Sequence, residues 1–253
     1  MSRTLRLLQA AVIPAVLIAA FEWYARGPGA GSEVLAPPSQ ALRALVAAVG
    51  DGSLWQATAF TLGCALLGLL IGAGLGLAFG TALGLSPRAA RMSSLTVEVL
   101  RPVPSVALIP LALLVFGFGL RMEVAIVAFA TFWPILVLAQ SAARQVEPRL
   151  MEVAHALGLS PRERVLKIVL PSMVPRLFVA LRLGVAIALV VAVTVEVAAN
   201  PNGMGYAMLM AQQSLDPALM LGWLIWIGLI GVLVNDLAQR AQAWVARRMG
   251  VRS

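Results

Sequence analysis

The chain has 253 residues, 60% hydrophobic and only 12% charged, with a mean hydropathy of +0.91. A water-soluble domain of this size covers itself with roughly 25% charged residues, so lipid is the main solvent here and soluble enzymes and soluble binding modules are excluded. The formal charge of +8 does not point to nucleic acid, because the basic residues close off apolar runs instead of gathering on a polar domain or among exposed aromatics.

In chain order, Arg3 and Arg6 precede an apolar stretch from Leu7 to Tyr24. It is longer than a secretory h-region and ends in no clear small-x-small cleavage site, so a retained first membrane helix is expected. Further apolar runs follow at about Thr58 to Leu85, Ser94 to Gly117, Glu123 to Ala142, Val174 to Ala199 and Ala218 to Trp244. A helix crosses a hydrocarbon layer of about 30 Å in roughly 20 residues. The expected architecture is therefore an all-α membrane protein with about six transmembrane helices. Between the first two runs, Gly and Pro punctuate a short amphipathic piece, Ser39 to Val49, which reads as a surface helix in an external loop.

Placing the N-terminus inside puts Arg88, Arg91, the stretch from Arg144 to Arg176, and Arg240, Arg247, Arg248 and Arg252 on the cytoplasmic side. Arg26, Arg43 and Arg121 are left outside, with Glu22, Glu33, Asp51, Glu123 and Asp216. The positive-inside rule selects this topology, with both termini cytoplasmic.

In the second run Gly68, Gly72, Gly76, Gly80 and Gly84 recur every four residues, leaving one helix face almost bare backbone. Such a ridge admits a neighbouring helix closely, and packing within the chain is favoured over a dimer seam. The third run carries Pro102, Pro104 and Pro110, breaks that persist in lipid where other helices or a water-lined cavity satisfy the freed carbonyls. Glu98 and Arg101, three apart, are expected to pair at its cytoplasmic end.

The most polar stretch is "EVAHALGLSPRERVLKIVLP", Glu152 to Pro171. Leu150, Val153, Ala154 and Leu157 give a short helix with one apolar face. Gly158 ends it, because glycine accepts the left-handed conformation without steric cost. Ser160, Pro161 and Glu163 then spell an N-cap, a first-turn proline and a capping box. A second short helix follows, expected to stop at Pro171 and Pro175 before the fifth run. Two readings compete at this point: an ordinary cytoplasmic loop whose charges keep it solvated, and a docking knob for a soluble partner, whose rigid corner can pass force to the membrane helices.

These residues resemble the EAA motif of permease subunits of binding-protein-dependent ABC importers: Glu, Ala, Ala, three residues, Gly, nine residues, Ile, any residue, Leu, Pro. The matching positions are Glu152, Val153, Ala154, Gly158, Ile168, Leu170 and Pro171, with every spacing kept and Val153 replacing the first alanine. "VLAPPSQALRAL", "RPVPSVALIPLALLVFGFG", "FWPILV", "VEPRLMEVAHALG" and "GMGYAM" also look like the nitrate/sulfonate/taurine branch of that family, from about Glu33 to Arg248. The resemblance implies a type I importer (MetI-like) permease fold, with residues 1–57 holding the first helix and external loop. Residues 58–248 would form the importer transmembrane domain, with coupling helices at about 148–170. It implies a homodimer of this permease in the inner membrane, two separate ATP-binding subunits docked on the coupling helices, and an extracytoplasmic substrate-binding protein. Glu152 and Gly158 are carried over as ATPase contacts, flanked by Ala154, Leu157, Arg162 and Arg164.

The chain carries no phosphate-binding loop of its own: Lys167 is its only lysine and follows Leu166. ATP is therefore expected on the partner subunit, and no cofactor is expected here. The serines and the lone His155 form no triad or nucleophile elbow, so no catalytic residue is expected. One cysteine, Cys64, and one histidine cannot build a cluster of metal ligands. His155 reads as a surface residue and Cys64 as apolar filler.

Polar residues inside membrane runs are pathway candidates by default. Glu196 leads, either lining a gate or holding Asn200 and the Gly203 to Gly205 turn; Thr194, Ser105 and Thr131 follow, with Gln140 and Ser141 weaker. The expected activity is alternating-access import of a small anion, organosulfonate or nitrate-like, delivered by the binding protein. Import of a pyrimidine precursor or riboflavin by the same machinery is the alternative, followed by a stand-alone secondary transporter, for which the single acid Glu196 offers thin support.

Overall fold

The computed structural model describes the backbone of residues 3–30 and 35–248, and the side chains of 12–30 and 35–247. Glu33 and Arg252 lie outside the described residues, as do the side chains of Arg3, Arg6 and Arg248. All regular structure among the described residues is helical. In order come α1 (Arg3–Arg26), α2 (Pro38–Gly50), α3 (Ser53–Leu85), α4 (Pro87–Leu100), a 3-10 turn (Ser105–Leu108) leading into α5 (Ile109–Phe116), and α6 (Leu120–Arg144). Then follow α7 (Pro148–Ala156), α8 (Pro161–Arg164), a π-helical turn (Val165–Val169), α9 (Leu170–Ala198), α10 (Gly203–Gln213) and α11 (Pro217–Arg248).

Helix α3, helix α6, the stretch containing α9, and α11 are each long and apolar enough to cross a membrane. The expected third span is not one helix. Its two halves, Pro87–Leu100 and Ser105–Phe116, meet at 84° and make at most a broken fifth span. Pro102 and Pro104 cause the break, since neither can donate a backbone hydrogen bond across the turn.

The centre of the bundle is α3 against α6, with α9 across both. The glycine ridge of α3 meets α6, as its spacing predicts: a Cβ on Gly72 would lie 2.5 Å from the Ala128 carbonyl oxygen, and one on Gly80 would lie 2.4 Å from that of Leu136. Ala65, Leu69, Val127, Ile135, Ala180, Ala188 and Ala192 fill the remaining space between these three helices. Small residues dominate because helices in lipid gain little from burying apolar surface and must instead pack backbone to backbone.

Helix α2 is amphipathic as expected, burying Ala41, Leu45 and Ala48. The Gly222 position on α11 lies against Ala41 and Leu45. Glu22 fastens α1 to it, accepting from the Ser39 backbone N–H at 3.0 Å and the Ser39 hydroxyl at 2.7 Å, while Arg26 bridges to Glu22. One helix was not foreseen. After the fifth span the chain turns at Asn200–Asn202 and folds back as the short α10, which packs on α9, α11 and α3.

Candidate functional site

The polar corner is built as its local sequence dictates. Gly158 sits at φ +67 in a Schellman arrangement: the Leu159 N–H donates to the Ala154 carbonyl at 3.0 Å and the Gly158 N–H to that of His155 at 3.0 Å. Ser160 then caps α8, accepting from the Glu163 N–H while the Glu163 carboxylate accepts from the Ser160 N–H. Two bonds from Arg164 brace the corner from behind, one to the Leu159 carbonyl at 2.7 Å and one to His155 Nε2 at 2.5 Å. His155 Nδ1 lies 2.7 Å from the Met151 carbonyl, and the tautomer with its proton on Nδ1 satisfies both contacts. His155 is a surface residue, as expected.

The end of the corner differs from expectation. Pro171 and Pro175 do not terminate the second short helix; α8 runs through the π turn into α9 without a break. Within that wider turn the Leu170 N–H reaches the carbonyl five residues back, at Val165. Pro171 follows directly on that π turn, at the second residue of α9. Corner and membrane helix are thus one continuous rod.

Of the apolar face of α7, only Ala154 is buried. Val153 is 53% exposed and Leu157 70%, and Leu150 is also exposed. Glu152, Gly158, Arg162 and Pro171 are exposed around them, with Arg164, Ile168 and Leu170 half-buried. All of the expected coupling residues but Ala154 are thus at least partly exposed.

Glu163 ties this corner to pH. Lys167 donates to it at 2.8 Å, and together with the Ser160 cap this pulls its carboxyl down to about 2 from the ordinary 4.5. A depressed carboxyl stabilises the fold above its unfolded value and loses that contribution as pH falls from about 4.5 through about 2. That contribution is therefore present at neutral pH and lost in acid. Glu163→Gln at pH 7 is expected to reproduce the acid state, raising amide hydrogen exchange at residues 160–164 about 3-fold to 10-fold while exchange in α6 is unchanged.

The pathway candidates separate. Thr131 is fully buried against α3, with its hydroxyl bonded back to the Val127 carbonyl at 2.9 Å, and a Cβ on Gly72 would strike it. Thr194 is exposed on α9 and bonds the Val190 carbonyl at 2.7 Å. Gln140 and Ser141 lie near the C-terminal end of α6, and Gln140 backs onto the Gly84 position. Ser105 lines a cavity of about 460 Å³ between the α4–α5 break, α6 and α9.

Glu196 is 1% exposed and accepts from the Gly205 N–H at 2.8 Å. It holds the start of α10 against α9, where a Cβ on Gly203 would collide with its carboxylate. It also lines a cavity of about 380 Å³ with Asn200, Tyr206 and Gln213. Asn200 turns the other way and donates to Glu123.

Glu123, which the sequence places only on the external side, is fully buried. Its place in the first turn of α6 gave no sign of this, because its partner lies 77 residues away. Thr61 completes the cluster by accepting from the Met204 N–H at 2.9 Å. Four elements are thereby joined around two buried acids at one end of the bundle. The expected Glu98–Arg101 pair is not formed among the described residues, so Arg101 stands at the α4–α5 break without an ionic partner.

The chain is similar to known proteins in sequence and in fold. The putative aliphatic sulfonates transport permease protein SsuC of Bacillus subtilis is 27% identical over 90% of this chain and 83% of its own length. The taurine transport system permease protein TauC of Escherichia coli is 29% identical over 82% and 77%. The bicarbonate transport system permease protein CmpB of Synechococcus elongatus is 26% identical over 78% and 71%. Among solved structures, an inward-facing conformation of the MetNI methionine ABC transporter superposes with a TM-score of 0.65 at 20% identity, covering 73% of this chain and 92% of that one. An amino acid ABC transporter gives 0.63 at 18% identity, covering 81% and 97%. Residues 68–251 match the family model described as the inner membrane component of binding-protein-dependent transport systems, and the chain belongs to that family of ABC importer permeases.

Proposed function

We propose that the exposed corner around Gly158 is the seat of a separate ATP-binding subunit, and that this permease works as a homodimer with two such subunits and an extracytoplasmic binding protein. Glu152, Val153, Ala154, Leu157, Gly158, Arg162, Arg164, Ile168, Leu170 and Pro171 make up the seat, with both chain termini on the same, cytoplasmic side. The carrying observation is the combination of exposed apolar side chains, Val153 and Leu157, with a stiff corner continuous with α9. Surface this apolar on a capped helix suits a partner's cleft better than water. Closure of two ATPases would push the paired corners together and swing α9, alternating access across the membrane. The substrate we propose is a small organosulfonate or similar oxyanion, in keeping with the sulfonate, taurine and bicarbonate permeases it resembles.

Cross-linking in native membranes tests the docking. The one native cysteine, Cys64, is buried and silent. Val153→Cys and Leu157→Cys are expected to capture an ATP-binding subunit, while Val190→Cys on the exposed face of α9 captures none. Failure of both corner positions to capture one would overturn the assignment.

A further inference from the structure

The cavity of about 460 Å³ beside Ser105 has features that packing does not explain. Its walls are Trp133 and Phe129, from the middle of α6, and Ile187 and Leu183, from the middle of α9, so it lies near half-depth in the bundle. Arg101 reaches it from the α4–α5 break. Arg101 is exposed at the edge of the cavity, and its guanidinium has no hydrogen-bond or ion-pair partner among the described residues.

Trp133 is only 8% exposed and its indole N–H is also without a partner. Buried donors of this kind are regularly satisfied. Edge-on contacts with Phe129 and Phe132, at centroid distances of 5.7 and 4.8 Å, hold the ring in place. No acidic side chain lines the cavity. A second arginine within the span, Arg182, immediately precedes the lining residue Leu183.

A cation, an indole donor and a hydroxyl on one side and aliphatic walls on the other have a single complementary ligand class. We propose that this cavity is an anion-binding station inside the permease: Arg101, the Trp133 indole and Ser105 hold the oxygens of a sulfonate or similar oxyanion, and Leu183 and Ile187 hold a short apolar tail. A guanidinium meets two oxygens of such a head in its planar fork, leaving the third for the indole or the hydroxyl. The cavity volume falls within the roughly 300–1,000 Å³ of small-molecule sites, and a station near mid-depth is where an alternating-access carrier holds its cargo. The proposal rests on the importer reading, but its site can be measured without the partner subunits.

The purified permease in phosphatidylcholine nanodiscs is titrated with radiolabelled ethanesulfonate, with ethylammonium as the control. Saturable binding of ethanesulfonate alone is expected, weakened at least about 10-fold by Arg101→Gln, consistent with losing a charge-assisted hydrogen bond, and about 3-fold or more by Trp133→Phe. Ser105→Ala, a milder change, should weaken binding by a smaller factor if the larger substitutions misfold the protein. Absence of binding by the wild type, or binding indifferent to all three substitutions, overturns the station.

A lipid phosphate could offer the same oxygens. Anionic phospholipid that co-purifies in an Arg101-dependent manner, with no binding of ethanesulfonate, would make Arg101 a headgroup anchor and also overturn the proposal. If ethanesulfonate binds as expected but the corner cross-links fail, the docking assignment falls and the site remains.

Discussion

Gly158→Pro is expected to abolish ATP-dependent uptake while leaving the protein inserted in the membrane at ordinary levels. The glycine stands at φ +67, and proline is locked near −65°, so the Schellman turn cannot close. The substitution also removes the N–H that donates to the His155 carbonyl. Nothing lies within 4 Å of where a Cβ would sit, so the damage is confined to backbone conformation and does not spread into a core. The expected consequence is loss of the angle between α7 and the rod made by α8, the π turn and α9, with the bundle of α3, α6 and α9 unchanged. Gly158→Asn supplies the control, because asparagine tolerates the left-handed region far better than other side chains and should keep a substantial fraction of uptake. Transport in proteoliposomes containing the partner subunits, measured beside ATPase activity and membrane yield, checks both. Near-normal uptake by Gly158→Pro would mean that the corner carries no force.

Features that depend on neighbours in sequence were legible without a structure. The capping box at Ser160 and Glu163 and the turn at Gly158 are set within a few residues of each other, and a periodic glycine ridge announces a close helix contact whichever helix supplies it. What could not be read was the identity of distant partners. Glu123 is no more than an acid on the external side until Asn200 is brought to it by the fold of α10, and α10, at 11 residues, is too short to register as a span. Thr131 shows the same limit from the other side, since a threonine inside a membrane helix is equally suited to a pathway or to a glycine groove. Arg101 was paired with Glu98 by helical spacing, but α4 ends at Leu100 and the chain bends there, so the spacing argument lapses at that residue. The prolines were misjudged for a related reason. A π turn ahead of Pro171 lets the helix continue, and nothing in the local sequence distinguishes that from a stop.

Gly72→Leu is expected to prevent recovery of a monodisperse protein. A first side-chain carbon at this position would stand 2.2 Å from the Thr131 hydroxyl and 2.5 Å from the Ala128 carbonyl oxygen. The second of these is backbone in the middle of α6 and cannot rotate aside. Relief requires α3 and α6 to move apart, and separation at one point also disturbs Gly68, Gly76 and Gly80, whose hypothetical Cβ atoms lie 2.6, 2.8 and 2.4 Å from α6 atoms. Overfilling a packed site typically costs about 1–3 kcal/mol; a rigid backbone contact belongs at the upper end, and leucine adds a branched chain with nowhere to go. Even Gly72→Ala should lower the midpoint of thermal unfolding in detergent, and Gly72→Ala with Gly80→Ala should lower it further, because both press on one rigid partner and neither can relax independently. Gly74→Ala is the internal control: it lies on the same helix, is exposed, and has nothing within 4 Å, so it should leave the midpoint unchanged or raise it slightly by restricting the unfolded chain. If Gly72→Ala and Gly74→Ala behaved alike, α3 and α6 would not be in backbone contact, and the floor beneath both the acid cluster and the Arg101 cavity would have to be redrawn.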